Sequence, residues 1–237
     1  MSQPFQLFDE VRIINLVDRS DRRSEIIDQL NGVGGLALNI NFFDAHRPDA
    51  PGEFPSLGAR GCFESHLGIL RQAHERGSKT LLVLEDDLDF TREGRAHIES
   101  VITELAAQEW SFFYGAHVMP IEGRRGLVPI AADEPVLTTS FVAFRGPAIA
   151  ELVEFLGAMK ERPAGSPDWG PMHVDGAYTV FRRLNPKHRT LAAFPSLGRQ
   201  RSSPSDVTQS EMILDQWAVT RPIASLLRRA YNRMKRH

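Results

Sequence analysis

The chain is almost without cysteine. Among 237 residues there is one, Cys62, which excludes a disulfide within the chain and suits a reducing cytosol. Long apolar runs are missing as well: nothing approaches the ~20 residues of a membrane-spanning helix. The opening residues, MSQPFQLFDE, contain no basic region followed by an apolar stretch, so no signal peptide is expected. Positive charge is not in excess, with 28 Lys and Arg against 30 Asp and Glu, which argues against nucleic acid as a main partner. No internal repeat is present. What remains is the composition of an ordinary globule, 42% hydrophobic and 24% charged, long enough to bury a full core.

The net charge of −2 hides an asymmetry. Six of the basic residues, Arg221, Arg228, Arg229, Arg233, Lys235 and Arg236, fall in the last seventeen positions without an acidic neighbour, leaving 22 basic against 30 acidic residues in the rest. The expected organisation is one α/β domain over residues 1–210 and a basic helical tail over 211–237. The tail reads as a helix over Ile223–Lys235, apolar on one side through Leu226, Leu227, Tyr231 and Met234. An amphipathic basic helix of this kind lies in an anionic membrane interface or packs on its own protein body, and the pattern fits both.

The most informative stretch is LLVLEDDLDF, Leu81–Phe90. Four consecutive apolar residues suit a strand buried on both faces of a sheet. The strand then delivers Glu85, Asp86 and Asp87 to its C-terminal end, where open α/β sheets bind ligands. Adjacent carboxylates repel one another unless a cation lies among them. Hard oxygen ligands of this kind suit magnesium or manganese, so Asp87 and Glu85 are the candidate metal ligands. The alternative is a solvated acidic turn.

Around it, VRIINL (Val11–Leu16) reads as a first strand, followed by a helix with Ile26, Ile27, Leu30 and Val33 on one face. Arg19, Arg22 and Arg23 fall just after the strand end, either at a nucleotide's phosphates or solvated at a helix start. Gly32–Ala37 matches a GxGxxA dinucleotide fingerprint but follows a helix rather than a strand, and reads as a helix stop. Leu38–Phe43 alternates as a second strand. The helix Arg60–Arg76 places Phe63, Leu67, Leu70 and His74 on one stripe and Cys62, His66, Ile69 and Ala73 on the next. On spacing alone His66 is a buried histidine and Ser65 a helix-interior hydroxyl. A helix over about 93–108, a strand at Trp110–Gly115 and a hairpin over His117–Ile130 are expected next. A strand at Thr138–Phe144, a helix from Pro147, a turn-rich loop at Ala164–Pro171, a helical run to Arg183 and a strand at Arg189–Phe194 follow. Pro195–Gln209 is polar and weakly patterned, which predicts a flexible segment.

Four stretches stand in a telling order: INLVDRSDRR (Ile14–Arg23), GARGCFESHLGIL (Gly58–Leu70), LLVLEDD (Leu81–Asp87), and HVDGAY with FPSLGRQRSSPSDV (His173–Tyr178 and Phe194–Val207). Together they resemble glycosyltransferase family 25, which includes bacterial lipopolysaccharide glycosyltransferases and collagen galactosyltransferases. The resemblance implies a GT-A-type, Rossmann-like mixed sheet flanked by helices, binding a UDP-sugar at the strand ends with a divalent metal. By that likeness Asn15, Leu16, Arg22 and Arg23 line the uridine and diphosphate side, and Ser65 and His66 face the donor. Glu85-Asp86-Asp87 becomes the family's version of a DxD motif, with Asp87 bridging metal and diphosphate. Asp175 becomes the catalytic carboxylate near the acceptor, and Gln200 and Asp206 belong to a segment that folds over the donor. His173 departs from the apolar residue or proline expected there, which makes it a candidate further metal ligand.

The resemblance implies an inverting transfer of a sugar, galactose first among candidates, to a glycan such as lipopolysaccharide, by a cytoplasmic protein that can touch the inner membrane face. Two other readings stay open. Asp87-Leu88-Asp89-Phe90-Thr91 matches the DxDxT motif of haloacid-dehalogenase-like phosphatases, although that motif normally closes a first strand. A non-catalytic nucleotide-sugar-binding protein would keep the fold without turnover.

Overall fold

A computed structural model describes residues 4–35, 39–119 and 123–201. Its spine is a nine-stranded mixed sheet in the order β2-β1-β3-β7-β5-β8-β6, with β4 and β9 off this path. The strands are β1 (Glu10–Asn15), β2 (Ile40–Asp44), β3 (Thr80–Glu85), β4 (Leu88–Phe90), β5 (Phe112–Val118), β6 (Gly126–Ile130), β7 (Leu137–Arg145), β8 (Thr190–Phe194) and β9 (Gly198–Gln200). Helices α1 (Ser20–Asn31), α2 (Leu57–Glu75), α3 (Arg92–Ala106), α4 (Pro147–Lys160) and α5 (Val174–Leu184) cover its two faces. This is the expected mixed α/β sheet flanked by helices. Among the described residues no helix is long and apolar enough to cross a membrane. The basic segment from Arg221, Asp206 and the expected C-terminal helix lie outside the described residues.

Strand β3 earns its place at the centre. Leu81 and Val83 point into one apolar cluster with Phe63, Leu70, Leu152 and Tyr178, while Leu82 and Leu84 point into the other with Phe5, Ile26, Ile98 and Leu105. All four are fully buried, each stabilising the fold by roughly 1.5–3 kcal/mol relative to exposure. Parallel pairing joins β1 to β2 and β3, whereas β7 runs antiparallel to both β3 and β5. The C-terminal ends of β1, β2, β3, β5 and β8 therefore share one edge of the sheet with the N-terminal end of β7. Everything of chemical interest gathers at that edge.

The element order follows the sequence expectations closely, with two corrections. The hairpin expected over His117–Ile130 does not form. Strand β6 pairs antiparallel with β8, and β8 pairs parallel with β5, so β8 lies between the two strands that were to be partners. The reason is hydrophobic: Thr190–Ala193 is buried throughout and needs a neighbour on each side to satisfy its backbone. The second correction concerns the start of the segment expected to be flexible. Gly198–Gln200 forms β9, which pairs antiparallel with β4, Leu88 opposite Gln200 and Phe90 opposite Gly198. Its approach depends on glycine: a Cβ on Gly94, in the first turn of α3, would stand 1.8 Å from the carbonyl oxygen of Leu197.

Candidate functional site

The end of β3 and the turn after it bring three carboxylates to the sheet edge, and their surroundings send them three ways. Glu85 turns inward: its Oε1 accepts a 2.6 Å hydrogen bond from the Thr139 hydroxyl and stands 3.5 Å from His66 Nε2. Asp86 is held by the first strand, accepting from Asn15 Nδ2 at 2.7 Å and from an Arg22 guanidinium nitrogen at 3.1 Å. Asp87 faces β9, where Gln200 Nε2 donates to its Oδ2 at 3.1 Å. The same guanidinium stands 3.9 Å from Asp87 Oδ2. The other Asp87 oxygen, Oδ1, is buried without a partner.

These settings pull the acids apart electrostatically. Burial, and then the charge of Glu85, push the Asp87 carboxyl up to about 7. Burial pushes Glu85 up too, but His66, Thr139 and Arg22 more than offset it and hold it below the ordinary carboxylate range. A cation would satisfy a buried carboxylate that has an orphaned oxygen beside two other acids. Asp87 thus fits the expected metal role. Glu85, expected to share that ion, is engaged on the inward side instead.

Helix α5 supplies the fourth acid. Asp175 sits in its first turn, with Oδ1 accepting from the Gly176 backbone N–H at 2.7 Å and Oδ2 facing the Thr138 N–H at 3.5 Å. Burial raises its carboxyl above the usual range, against the His173 charge and the two backbone donors, and Glu85 raises it further. Thr138, at the start of β7, has φ 74°. A β-branched residue in that region carries about 1–3 kcal/mol of strain, a cost characteristic of functional sites. His173 is the N-cap residue of α5 and acts on Asp175 through charge. It lies outside the one potential metal-ligating cluster found among the described residues.

Helix α2 explains why its sequence alternates small and reactive residues. A Cβ on Gly61 would come within 2.7 Å of the His46 carbonyl oxygen, and one on Gly68 within 2.9 Å of the Phe43 ring. Between them Ser65 is fully buried, donating to Gly61 O at 2.7 Å and accepting from the His46 N–H at 2.9 Å. Gly61, Ser65 and Gly68 hold the chain that follows β2, and the Ser65 hydroxyl is engaged there rather than at the carboxylates. One stripe over, Cys62 and His66 face β3, and Tyr178 OH lies 3.0 Å from His66 Nδ1. His66 is fully buried, as spacing alone implies, yet it borders the acidic edge, as the resemblance implies.

The remaining expected residues divide. Asn15, Arg22 and Gln200 meet the acids directly. Leu16 is half-buried just past β1, where its carbonyl accepts from the Arg19 N–H at 2.8 Å. Arg23 points away, its guanidinium 3.9 Å over the Phe42 ring. Asp89 is bound by Arg201 at 2.8 Å, so the second acid of the DxDxT reading is occupied by a cation. Thr139, Tyr178 and Arg201 are contacts that sequence reading missed. Tyr178 and Arg201 had a signal, standing in the stretches HVDGAY and FPSLGRQRSSPSDV.

The strand ends thus gather one acid whose setting suits a cation and a second whose setting suits a proton. The chain is similar to curated members of glycosyltransferase family 25. Procollagen galactosyltransferase 1 of Danio rerio is 30% identical over 161 residues, covering 57% of this chain and 27% of that protein. Inactive glycosyltransferase 25 family member 3 of Homo sapiens is 29% identical over 148 residues, covering 51% of this chain and 25% of that protein. The chain thus spans about a quarter of the length of these relatives. No family model matches it. Among solved structures, a glycosyltransferase involved in glycosylation of the major capsid of PBCV-1 overlaps 77% of this chain and 81% of its own, at 14% identity and a TM-score of 0.43. UDP-glucose pyrophosphorylase complexed with UDP-glucose overlaps 81% of this chain and 74% of its own, at 12% identity and a TM-score of 0.42. Overlaps this loose carry no argument about function.

Proposed function

We propose that the chain is a glycosyltransferase that moves a sugar, galactose first among candidates, from a UDP-sugar to a hydroxyl of a glycan acceptor. The observation that carries this reading is the orphaned Oδ1 of Asp87, buried at the strand ends beside Arg22. The names of the relatives support the reaction class and the choice of galactose. Asp87 would hold a magnesium or manganese ion, which when bound neutralises the leaving diphosphate. Arg22 adds a fixed positive charge on the same side, and Asn15 keeps Asp86 turned toward it. Gln200 orients the Asp87 carboxylate through the oxygen it binds.

Asp175 is the candidate base. A carboxyl raised by burial takes a proton more readily than an exposed one, and the backbone N–H groups of Gly176 and Thr138 fix its position. Removing the acceptor hydroxyl's proton as the glycosidic bond forms is worth ~10²–10⁴-fold in rate. A single base opposite the leaving group gives inversion at the anomeric carbon. The acceptor would be a surface glycan such as lipopolysaccharide, met at the cytoplasmic face of a membrane through the basic segment beyond Arg221.

The test is a thermal-shift screen of nucleotide sugars with and without manganese. A UDP-sugar at about 100 times its dissociation constant should stabilise the fold by about 2.7 kcal/mol, and only with metal. No shift with any UDP-sugar plus manganese would remove the reading. Four of the similar curated proteins are named inactive or probable inactive, which favours a second reading, a nucleotide-sugar-binding protein without turnover. Binding without transfer to any of a broad acceptor panel would select it.

A further inference from the structure

Cys62, His66 and Glu85 each offer a ligand atom, and the three atoms lie within 4.8 Å of one another. We propose that they form a second metal site, for one zinc-class ion, separate from the ion expected at Asp87. The proposal stands independently of the sugar-transfer reading.

Two observations carry it. First, His66 is fully buried, and its Nε2 has no hydrogen-bond partner. Glu85 Oε1 stands 3.5 Å away and makes no hydrogen bond with it. Two ligands on one tetrahedral zinc ion, each about 2.1 Å from it, stand roughly 3.4 Å apart. The spacing suits a shared ion better than a direct contact. Second, the ligands are already oriented from behind. Tyr178 OH meets His66 Nδ1 at 3.0 Å and the Thr139 hydroxyl meets Glu85 Oε1 at 2.6 Å. With the proton on Nδ1 donated to the Tyr178 oxygen, the Nε2 lone pair faces Cys62 and Glu85. This is how outer groups hold a metal-binding imidazole.

The donor chemistry separates the two sites. A thiolate and an imidazole select zinc and its neighbours, whereas carboxylate oxygens alone suit magnesium and manganese. Three protein ligands leave a fourth position open for water.

The experiment uses the full chain, stripped with a chelator and titrated with cobalt(II), a spectroscopic stand-in for zinc. Since Cys62 is the only cysteine, any thiolate-to-cobalt charge-transfer band in the near ultraviolet must arise from it. One equivalent of cobalt should produce that band, zinc should displace it, and Asp87→Asn should leave it unchanged. Tyr178→Phe, which removes only the group orienting the ring, should weaken zinc binding ~10-fold. As a check free of any substitution, zinc should protect Cys62 of the wild-type chain from alkylation, and magnesium should not. Absence of the band and of protection would overturn the proposal, as would loss of the band in Asp87→Asn.

Discussion

Glu85 and Asp87 are two residues apart on one turn and live in different chemistry. On the inner side Glu85 meets a hydroxyl and an imidazole, and its carboxyl is held below the usual range. On the outer side Asp87 has one oxygen on Gln200 and the other on nothing, and its carboxyl rises to about 7. A strand end alternates its side chains. Positions 85 and 87 would share a side if β3 continued, but the turn at 86–87 rotates the second acid away. The lesson is that an acidic run is not one site. Its members are assigned by what the neighbouring elements present to each: α2 and β7 to the inner acid, β1, α1 and β9 to the outer pair.

The largest effect that would sharpen this contrast involves a third acid. Asp175→Asn should cut sugar transfer by ~10²–10⁴-fold while leaving UDP-sugar affinity within about twofold, read from turnover and from calorimetry with manganese. Near-normal turnover would move the base elsewhere, with Asp44 and Asp168, both exposed, the next candidates. Asp87→Asn should abolish manganese-dependent donor binding and, in metal-free protein, stabilise the fold at alkaline pH. The sign follows from the raised carboxyl. Its contribution is complete below the ordinary value of about 4 and is lost as pH rises through about 7. The stability gap between variant and wild type, read from denaturant unfolding, should thus open between pH ~4 and ~7, reaching on the order of a few kcal/mol. Glu85, with a depressed carboxyl, works in the opposite direction but is common to both proteins.

Smaller effects test whether residues beside the acids are part of the outer site. Ser65→Ala should cost about 1–3 kcal/mol of stability, because the His46 N–H loses its acceptor, with donor affinity unchanged. Arg23→Ala should cost about 0.5–1 kcal/mol from the lost contact over Phe42, also without a change in donor affinity. Arg22→Ala, by contrast, should weaken donor binding. Equal losses from the two arginines would break the assignment of only one to the site.

How far these assignments were legible in the sequence depends on the distance over which each was decided. The apolar run at Leu81–Leu84 and the acids that follow declared a buried strand and its loaded end, because burial on both faces leaves a local signature. Helix α2 could be read in stripes, which correctly paired Cys62 with His66. Whether that stripe met core or site depended on Glu85 and Tyr178, 19 and 112 residues from His66. Arg22 and Arg23 are indistinguishable as a dipeptide, and only the helix phase sends one to Asp86 and the other over Phe42. The expected hairpin failed for the same reason. A glycine-containing turn between two apolar segments is a local sign, and the strand that displaced it comes some sixty residues later.

That late strand has a consequence for how the chain is made. Strands β2, β1 and β3 come from the first 85 residues and can pair as soon as they have been synthesised. The edges of β5 and β6 instead remain open until β8 emerges, more than a hundred residues after β3 begins. Ribosomes add about 5–20 residues per second, so unpaired edges persist for several seconds on a nascent chain. Edges of this kind are templates for association with other chains. A nascent chain halted before Thr190 therefore presents the open edge of β5 and a β6 with no partner, while the first half of its sheet is already able to form.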